Sequence, residues 1–343
     1  MTRIVSEPTT RRLFRGHNSW IWCLALSQDE KTLAGGGFNA DPRIHLWSVE
    51  TGEVCSVLEG HTDSVAGLAL SSDGRTLYSC SHDHTLREWD VEYLCQRGEP
   101  IVSSSWSVNH LALSQDGILA TGGDENVLFL RYPGSDTFRC LEGFEGQILR
   151  LAFSSDGSIL AVGMWDGYLK ILSRQGDGRF HTLHSLRLDS SIWALTFTPK
   201  GELLCGTQGG QIHLVDVRTG AARHRPELTA HSRGEIRALI FTGNTLFVGQ
   251  WDTLVVDGTR GGGCLHAMSW PDGQLELALT DFWEVVDAVI PVDDGKGLLV
   301  SKNRTQCPAR SSDCYAPCLL DFGCPDLGRN TILTPEALAA AIW

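Results

Sequence analysis

The feature that most limits what this chain can fold into is a unit of about 44 residues that recurs along its length. Each unit begins with a short apolar segment, passes through a polar turn and continues into further short apolar segments. The residues that mark the starts of the units are Ile21, Val65, Val108, Ile148, Ile192, Ile236 and Val286. A period of roughly 20–50 residues is typical of repeat architectures, in which each unit buries its apolar face against the next.

The turns inside the units indicate that the apolar segments are β-strands. Asp73-Gly74 and Asp156-Gly157 follow the first segment of their units. Asp-Gly favours the tight turn of a β-hairpin because glycine tolerates a positive φ. Later segments such as Ile44-His45-Leu46-Trp47 are also short, and no unit has the apolar period of a helix. The repeats are therefore predicted to be all-β.

Two dipeptides give the repeats a specific resemblance. Gly16-His17 and Gly60-His61 open the first two units, Trp89-Asp90 closes the second, and Trp47-Ser48 is a near match in the first. With these elements the units resemble WD40 repeats. The second unit also matches the family's buried hydrogen-bonding tetrad at four positions, which are His61, Ser79, Asp83 and Trp89.

The resemblance covers roughly residues 10–325 and weakens along the chain. Leu130, Leu172 and Val215 stand where the family has tryptophan. The family implies a seven-bladed β-propeller in which each blade is a four-stranded antiparallel sheet. It also implies that residues 11–14 supply the outer strand of the last blade. The resemblance thus predicts a single propeller over residues 1–328.

Residues 329–343 are predicted to be a tail with a short C-terminal helix. Thr334-Pro335-Glu336 is a favourable helix start, with an N-cap threonine, a proline in the first turn and an acidic residue near the positive end of the helix dipole. Such a helix is too short to be stable alone. We expect it to pack on the propeller through Leu338, Ile342 and Trp343; the alternative is a frayed peptide that binds a partner.

Charge limits the classes of partner. The chain has 28 Lys+Arg and 41 Asp+Glu, a formal net charge of −13. Because a duplex nucleic-acid binder needs a basic surface, this charge argues against nucleic acid; it also argues against anionic membranes and favours cationic partners. No run approaches the ~18 apolar residues that span a bilayer, and residues 1–8 lack the apolar core of a secretion signal. We expect a cytoplasmic protein whose 11 cysteines are mostly thiols.

Tryptophans dominate the face on which this sequence departs from an ordinary propeller. The resemblance implies that three positions of each blade point to the top face, around the central channel. Trp165-Asp166 and Trp251-Asp252 look like repeat ends, but these tryptophans lie only 17 and 15 residues after their unit starts, whereas Trp89 lies 24 after. They are therefore assigned to top loops. The top-face indoles are then Trp20, Trp22, Trp165, Trp193 and Trp251, with Trp106 as a sixth candidate.

Acidic residues share the same predicted rim. Glu235 and Asp287 lie there, together with His82 and Asn109, and Arg237 is expected to supply an orienting hydrogen bond. Indole faces combined with carboxylates favour a cation such as a lysine, an arginine or a methylated amine. The sequence therefore predicts a non-catalytic, monomeric scaffold that binds a cationic ligand or a basic peptide or protein segment at its top face.

Other interpretations stay open at this point. The indoles can simply fill the upper channel. The same pocket can belong to an enzyme in which tryptophans stabilise a cationic intermediate and Glu235 or Asp287 acts as general base. A structural protein that assembles through blade edges is a third possibility. No P-loop, dinucleotide fingerprint or nucleophile elbow is present in the sequence, and no cofactor is expected.

The last four cysteines are the one weak candidate for a metal site. They are Cys307, Cys314, Cys318 and Cys324. Their spacing lacks the short C-x2-C pairs that zinc sites usually show. A loop disulfide between Cys307 and Cys314 and unlinked apolar fillers are the alternatives, and we expect no metal.

Overall fold

The structure is a computed structural model that describes residues 11–102, 107–228, 234–251, 263–282, 284–285, 289–292, 297–300, 303–304, 318–321 and 331–332. Regular structure in these residues is almost entirely β. The one helical element among them is a 3₁₀ helix at Pro226–Leu228. Within the same residues, no helix is long and apolar enough to cross a bilayer. The predicted C-terminal helix, from residue 334 onward, lies outside the described residues.

Strand β1 (Arg11–Leu13) precedes six antiparallel sheets, each built from four consecutive strands and numbered here as blades 1 to 6. Blade 1 contains β2 (Ile21–Leu26), β3 (Thr32–Gly37), β4 (Ile44–Ser48) and β5 (Val54–Leu58). Blade 2 contains β6 (Val65–Leu70), β7 (Thr76–Ser81), β8 (Thr85–Asp90) and β9 (Cys95–Val102). Blade 3 contains β10 (Val108–Leu113), β11 (Leu119–Gly123), β12 (Leu128–Arg131) and β13 (Arg139–Leu141).

The next three blades follow the same order from the centre outward. Blade 4 contains β14 (Ile148–Phe153), β15 (Ile159–Met164), β16 (Tyr168–Arg174) and β17 (Phe180–Arg187). Blade 5 contains β18 (Ile192–Phe197), β19 (Leu203–Thr207), β20 (Ile212–Val215) and β21 (Ala222–His224). Blade 6 contains β22 (Glu235–Thr242), β23 (Thr245–Trp251), β24 (Gly263–Ser269) and β25 (Leu275–Phe282).

The late strands complete the architecture. They are β26 (Glu284–Val285), β27 (Val289–Val292), β28 (Gly297–Val300), β29 (Asn303–Arg304), β30 (Cys318–Asp321) and β31 (Thr331–Ile332). One further four-stranded sheet has the order β1-β30-β28-β27, so the N-terminal strand forms its outer edge. Strands β26 and β29 form a separate pair, and β31 joins blade 6 beside β25 in parallel.

The innermost strands of the sheets contact one another in sequence order, and β27 contacts both β22 and β2. The sheets are therefore arranged in a closed ring. The all-β propeller is confirmed. Six blades, rather than seven, consist of four consecutive strands. The remaining sheet does not, because its outer strand, β1, comes from the other end of the chain.

The unit-start residues hold neighbouring blades together. Ile148, Ile192 and Ile236 are fully buried at the start of their innermost strands. Each packs against a glycine in the second strand of the preceding blade. A Cβ added to Gly163 would lie 2.7 Å from Ile192, and one added to Gly206 would lie 2.3 Å from Ile236. Because such contacts leave no room for a side chain, glycine lets the blades approach closely enough to exclude water.

Candidate functional site

The predicted tetrad of blade 2 is confirmed as a continuous buried network. His61 contacts Asp83 through Nδ1 (2.8 Å) and the Ser79 hydroxyl through Nε2 (2.7 Å). The Trp89 indole N–H donates to the same hydroxyl (2.8 Å). Burial alone would raise the pKa of the Asp83 carboxyl, but the hydrogen bond from His61 lowers it well below its usual range. This network ties the third strand to the chain that enters the blade.

Blade 1 has a different network at the same place. His17 lies 3.2 Å from Asp41, 3.1 Å from His45 Nδ1 and 3.0 Å from the carbonyl oxygen of Gly35. His17, Asp41 and His45 lie close enough together to hold a metal ion. However, Asp41 also accepts hydrogen bonds from the Asn18 N–H and Arg43 Nε. Both oxygens of the carboxylate thus already accept hydrogen bonds from protein donors, and we interpret the cluster as structural.

The predicted top face contains a cavity of about 370 Å³. Five of the predicted site residues line it, namely Trp22, His82, Asn109, Trp165 and Trp193. They come from blades 1, 2, 3, 4 and 5. The ring therefore brings together side chains that are up to 171 residues apart in the sequence. A concave space of this size, with aromatic walls and a few polar groups, is the usual form of a ligand site.

Aromatic contacts fix the walls of this cavity. Trp165 and Trp193 meet edge to face, with ring centroids 5.7 Å apart. Trp22 makes the same kind of contact with His82 (5.2 Å) and Phe38 (4.9 Å). Trp165 is nevertheless 49% exposed. The Trp165 indole is therefore held in place by Trp193, and about half of its surface remains accessible.

The cavity also carries charge of both signs. Asp124 accepts a hydrogen bond from the Asn109 amide (2.8 Å). Arg150 donates to the Leu149 carbonyl oxygen (2.8 Å) and lies 5.5 Å from the Trp193 ring. Burial lowers the pKa of His82, so its imidazole is neutral near pH 7 and adds no positive charge.

Three predicted site residues lie beside the cavity rather than in its wall. Arg237 forms an ion pair with Glu235 (2.7 Å) and lies over the rings of Trp193 and Trp251. Among the described residues, Glu235 is the carboxylate that pairs with Arg237. Because Glu235 is held by Arg237 and also accepts from the Gln208 amide (3.2 Å), it is poorly placed to act as a general base.

The remaining predictions fall elsewhere. Trp20 stacks on Phe38, with centroids 5.7 Å apart, and does not line the cavity. Trp106 and Asp287 lie outside the described residues, as do Cys307, Cys314 and Cys324; Cys318 begins β30. Free thiols are present at Cys23, Cys55, Cys80, Cys95, Cys140 and Cys205.

Sequence reasoning missed two charged residues of the cavity wall. Asp124 follows the last residue of β11, and Arg150 is two residues beyond the start of blade 4. Asp124 occupies the place of His82 in blade 2, because the N–H of each donates to the carbonyl oxygen of the residue before its innermost strand. The signal that could have found it is the pair Asp124-Glu125, in which Glu125 stands where Asp83 stands in blade 2 and Asp124 stands one residue before it.

Comparisons with known proteins agree with this architecture. The family described as WD domain, G-beta repeat, matches residues 8–48, 52–90 and 136–173. The chain is 25% identical over 232 residues to apoptotic protease-activating factor 1 of Homo sapiens; the match covers 63% of this chain and 18% of that protein.

Two plant proteins from Arabidopsis thaliana are also similar. Periodic tryptophan protein 2 is 24% identical over 220 residues, which is 62% of this chain and 24% of that protein. U3 snoRNP-associated protein-like EMB2271 is 30% identical over 119 residues, which is 35% of this chain and 24% of that protein. The chain thus matches no more than about a quarter of the length of each of these relatives.

Proposed function

This chain belongs to the WD40 repeat family, and from that premise we propose that it is a non-catalytic scaffold that binds a basic segment of a partner protein at its top face. Propellers of this family generally act as scaffolds or protein-binding modules. The observation that carries the proposal is the half-exposed Trp165 indole in the wall of a cavity that also holds the Asp124 carboxylate. A cation placed over such an indole gains about 0.5–2 kcal/mol.

The surroundings of Trp165 support a cationic side chain as the ligand. His82 is neutral near pH 7, and Arg150 is directed onto Trp193 and the Leu149 carbonyl oxygen. The net charge of −13 favours the approach of basic segments over acidic ones. The name of one relative records association with the U3 snoRNP, which supports a role within an assembly.

Two finer points belong to the same proposal. We take the sheet β1-β30-β28-β27 as the seventh blade of the ring. The proposed compartment is the cytoplasm, and the free thiols at Cys23, Cys55, Cys80, Cys95, Cys140 and Cys205 support a reducing environment.

The test is a tryptophan-fluorescence titration with capped peptides that contain one arginine or one lysine, beside peptides with citrulline or norleucine at that position. Saturable binding of the basic peptides, lost in Trp165→Ala, is the expected result. Trp270→Ala is the matched control, because Trp270 packs against Phe241 in blade 6 and not in the cavity wall. Equal binding by the wild type and Trp165→Ala would overturn the proposal. A changed peptide mass after incubation would indicate an enzyme instead.

A further inference from the structure

Beside the cavity, four side chains form a compact group that we call the Arg237 cluster: Trp193, Glu235, Arg237 and Trp251. The Arg237 guanidinium carbon lies 4.2 Å from the Trp193 ring centroid and 5.2 Å from that of Trp251. Its Nη2 lies 2.7 Å from Glu235 Oε2. The guanidinium thus contacts two indoles and one carboxylate at the same time, which is the arrangement expected of a bound cation.

The cluster forms where two neighbouring blades of the propeller meet. Glu235 and Arg237 are one residue apart on the innermost strand β22, and Trp251 is opposite Glu235 in the register of β22 and β23. Trp193 comes from β18 of the preceding blade. The Arg237 and Glu235 side chains are only 11% and 12% exposed, so water screens their attraction weakly.

The hydrogen bonding of the cluster is incomplete. Arg237 Nε and Trp193 Nε1 are both buried, and neither has a hydrogen-bond partner in the described part of the chain. A buried donor without an acceptor lowers the stability of the arrangement that contains it. Within the described residues, Arg237 is therefore held by the two rings and by Glu235, and its Nε donor is unsatisfied.

We infer that Trp193, Trp251 and Glu235 form a guanidinium-binding site that the chain's own Arg237 fills, and that an arginine side chain of a partner binds there by displacing Arg237. This inference rests on the proposed top-face function, because it specifies that the partner's arginine is the group bound and that Arg237 must leave the site before it binds. Trp193 belongs to both the cluster and the cavity wall, so a segment in the cavity lies next to the cluster.

The chemistry of the cluster favours guanidinium over ammonium. A guanidinium is planar, stacks on indole faces and presents several N–H donors to a carboxylate, whereas a lysine ammonium is a compact and strongly hydrated charge. Arg237 itself shows that the space between the two rings accepts a guanidinium. The predicted ligand class is therefore an arginine side chain, with lysine as a much weaker competitor.

The experiment removes the Arg237 side chain and supplies a free arginine derivative that can bind in its place. Arg237→Ala and wild type are titrated with Nα-acetyl-arginine amide, followed by tryptophan fluorescence and calorimetry. We expect the variant to bind at least about tenfold more tightly than wild type, because it no longer has to displace its own cation. Nα-acetyl-citrulline amide, which has the same shape without the charge, is expected not to bind.

Controls separate this inference from loss of the fold and from the proposed function. Arg139→Ala removes another arginine that lies over an aromatic ring, Tyr132, and should leave binding unchanged. The double variant Arg237→Ala/Trp193→Ala should lose the gain. If circular dichroism shows that Arg237→Ala is unfolded, Arg237→Gln replaces it.

Equal affinity of wild type and the folded Arg237 variant, or equal binding of the citrulline probe, would overturn the inference. The peptide titration with Trp165→Ala tests the cavity separately, because it uses wild-type Arg237.

Discussion

Trp89-Asp90 and Trp165-Asp166 are the same dipeptide in two regions of the molecule with opposite physical roles. Trp89 is 2% exposed, lies in the third strand of blade 2 and donates to Ser79. Trp165 is 49% exposed and follows directly after the second strand of blade 4. The difference teaches that the position of a tryptophan within the repeat, and not its neighbouring aspartate, decides whether it is buried in the blade or exposed at the cavity.

The largest expected effect is the loss of stability when the buried Trp89 is replaced. Trp89→Ala removes a buried indole and one hydrogen bond, so the free energy of unfolding should fall by about 3–5 kcal/mol. Urea denaturation followed by circular dichroism measures the change. A loss of less than about 1 kcal/mol would mean that the blade repacks around the missing ring, and the two tryptophans would then not differ in the way described.

Ser79→Ala tests whether hydrogen bonding, as well as packing, distinguishes Trp89. The substitution leaves His61 Nε2 and the Trp89 indole N–H without their shared partner. We expect a loss of about 1–3 kcal/mol, because unsatisfied buried polar groups are costly. Ser185→Ala on the exposed strand β17 is the matched control and should be near neutral in the same denaturation experiment.

Acid should weaken the buried network of blade 1. Burial, with the neighbouring His17, lowers the pKa of His45 to about 3, against about 6.5 in the unfolded chain. The stability gained from keeping this imidazole neutral is complete above the unfolded value and is lost as the pH falls towards the folded one.

Unfolding free energies measured between pH 7 and pH 4 should therefore decline, by at most ~1.4 kcal/mol per pH unit for this group. His45→Gln should flatten the profile, whereas Trp165→Ala should keep the wild-type slope. An unchanged slope in His45→Gln would assign the acid sensitivity to other groups, such as His110, whose pKa burial also lowers to about 3.

The smallest expected effect is the loss of stability when the half-exposed Trp165 is replaced. Trp165→Ala removes a half-exposed ring whose main contact is the edge of Trp193, so stability should fall by only about 0.5–1 kcal/mol. Thermal unfolding beside Trp89→Ala measures the contrast directly. If both variants lost comparable stability, Trp165 would be a packing residue of the upper channel, and the binding role proposed for it would lose its support.

Most of the fold could be predicted because its signals are local in the chain. The apolar unit starts, the Asp-Gly turns and the Gly-His and Trp-Asp elements each span a few residues, and they recur at nearly constant spacing. Likewise, the tetrad of blade 2 could be named from single positions. In blade 1, by contrast, the replacement of serine by Gly35 and the recruitment of His45 by His17 were not foreseen.

The sequence by itself determined that this chain repeats an all-β unit and that Trp165 cannot be a third-strand residue. Only the tertiary structure decided which side chains meet. Trp193 and Trp251 are 58 residues apart, and Arg237 reaches both only because two blades converge at the channel. Periodicity fixes where each residue lies within its own blade, whereas contacts between blades depend on the closure of the whole ring.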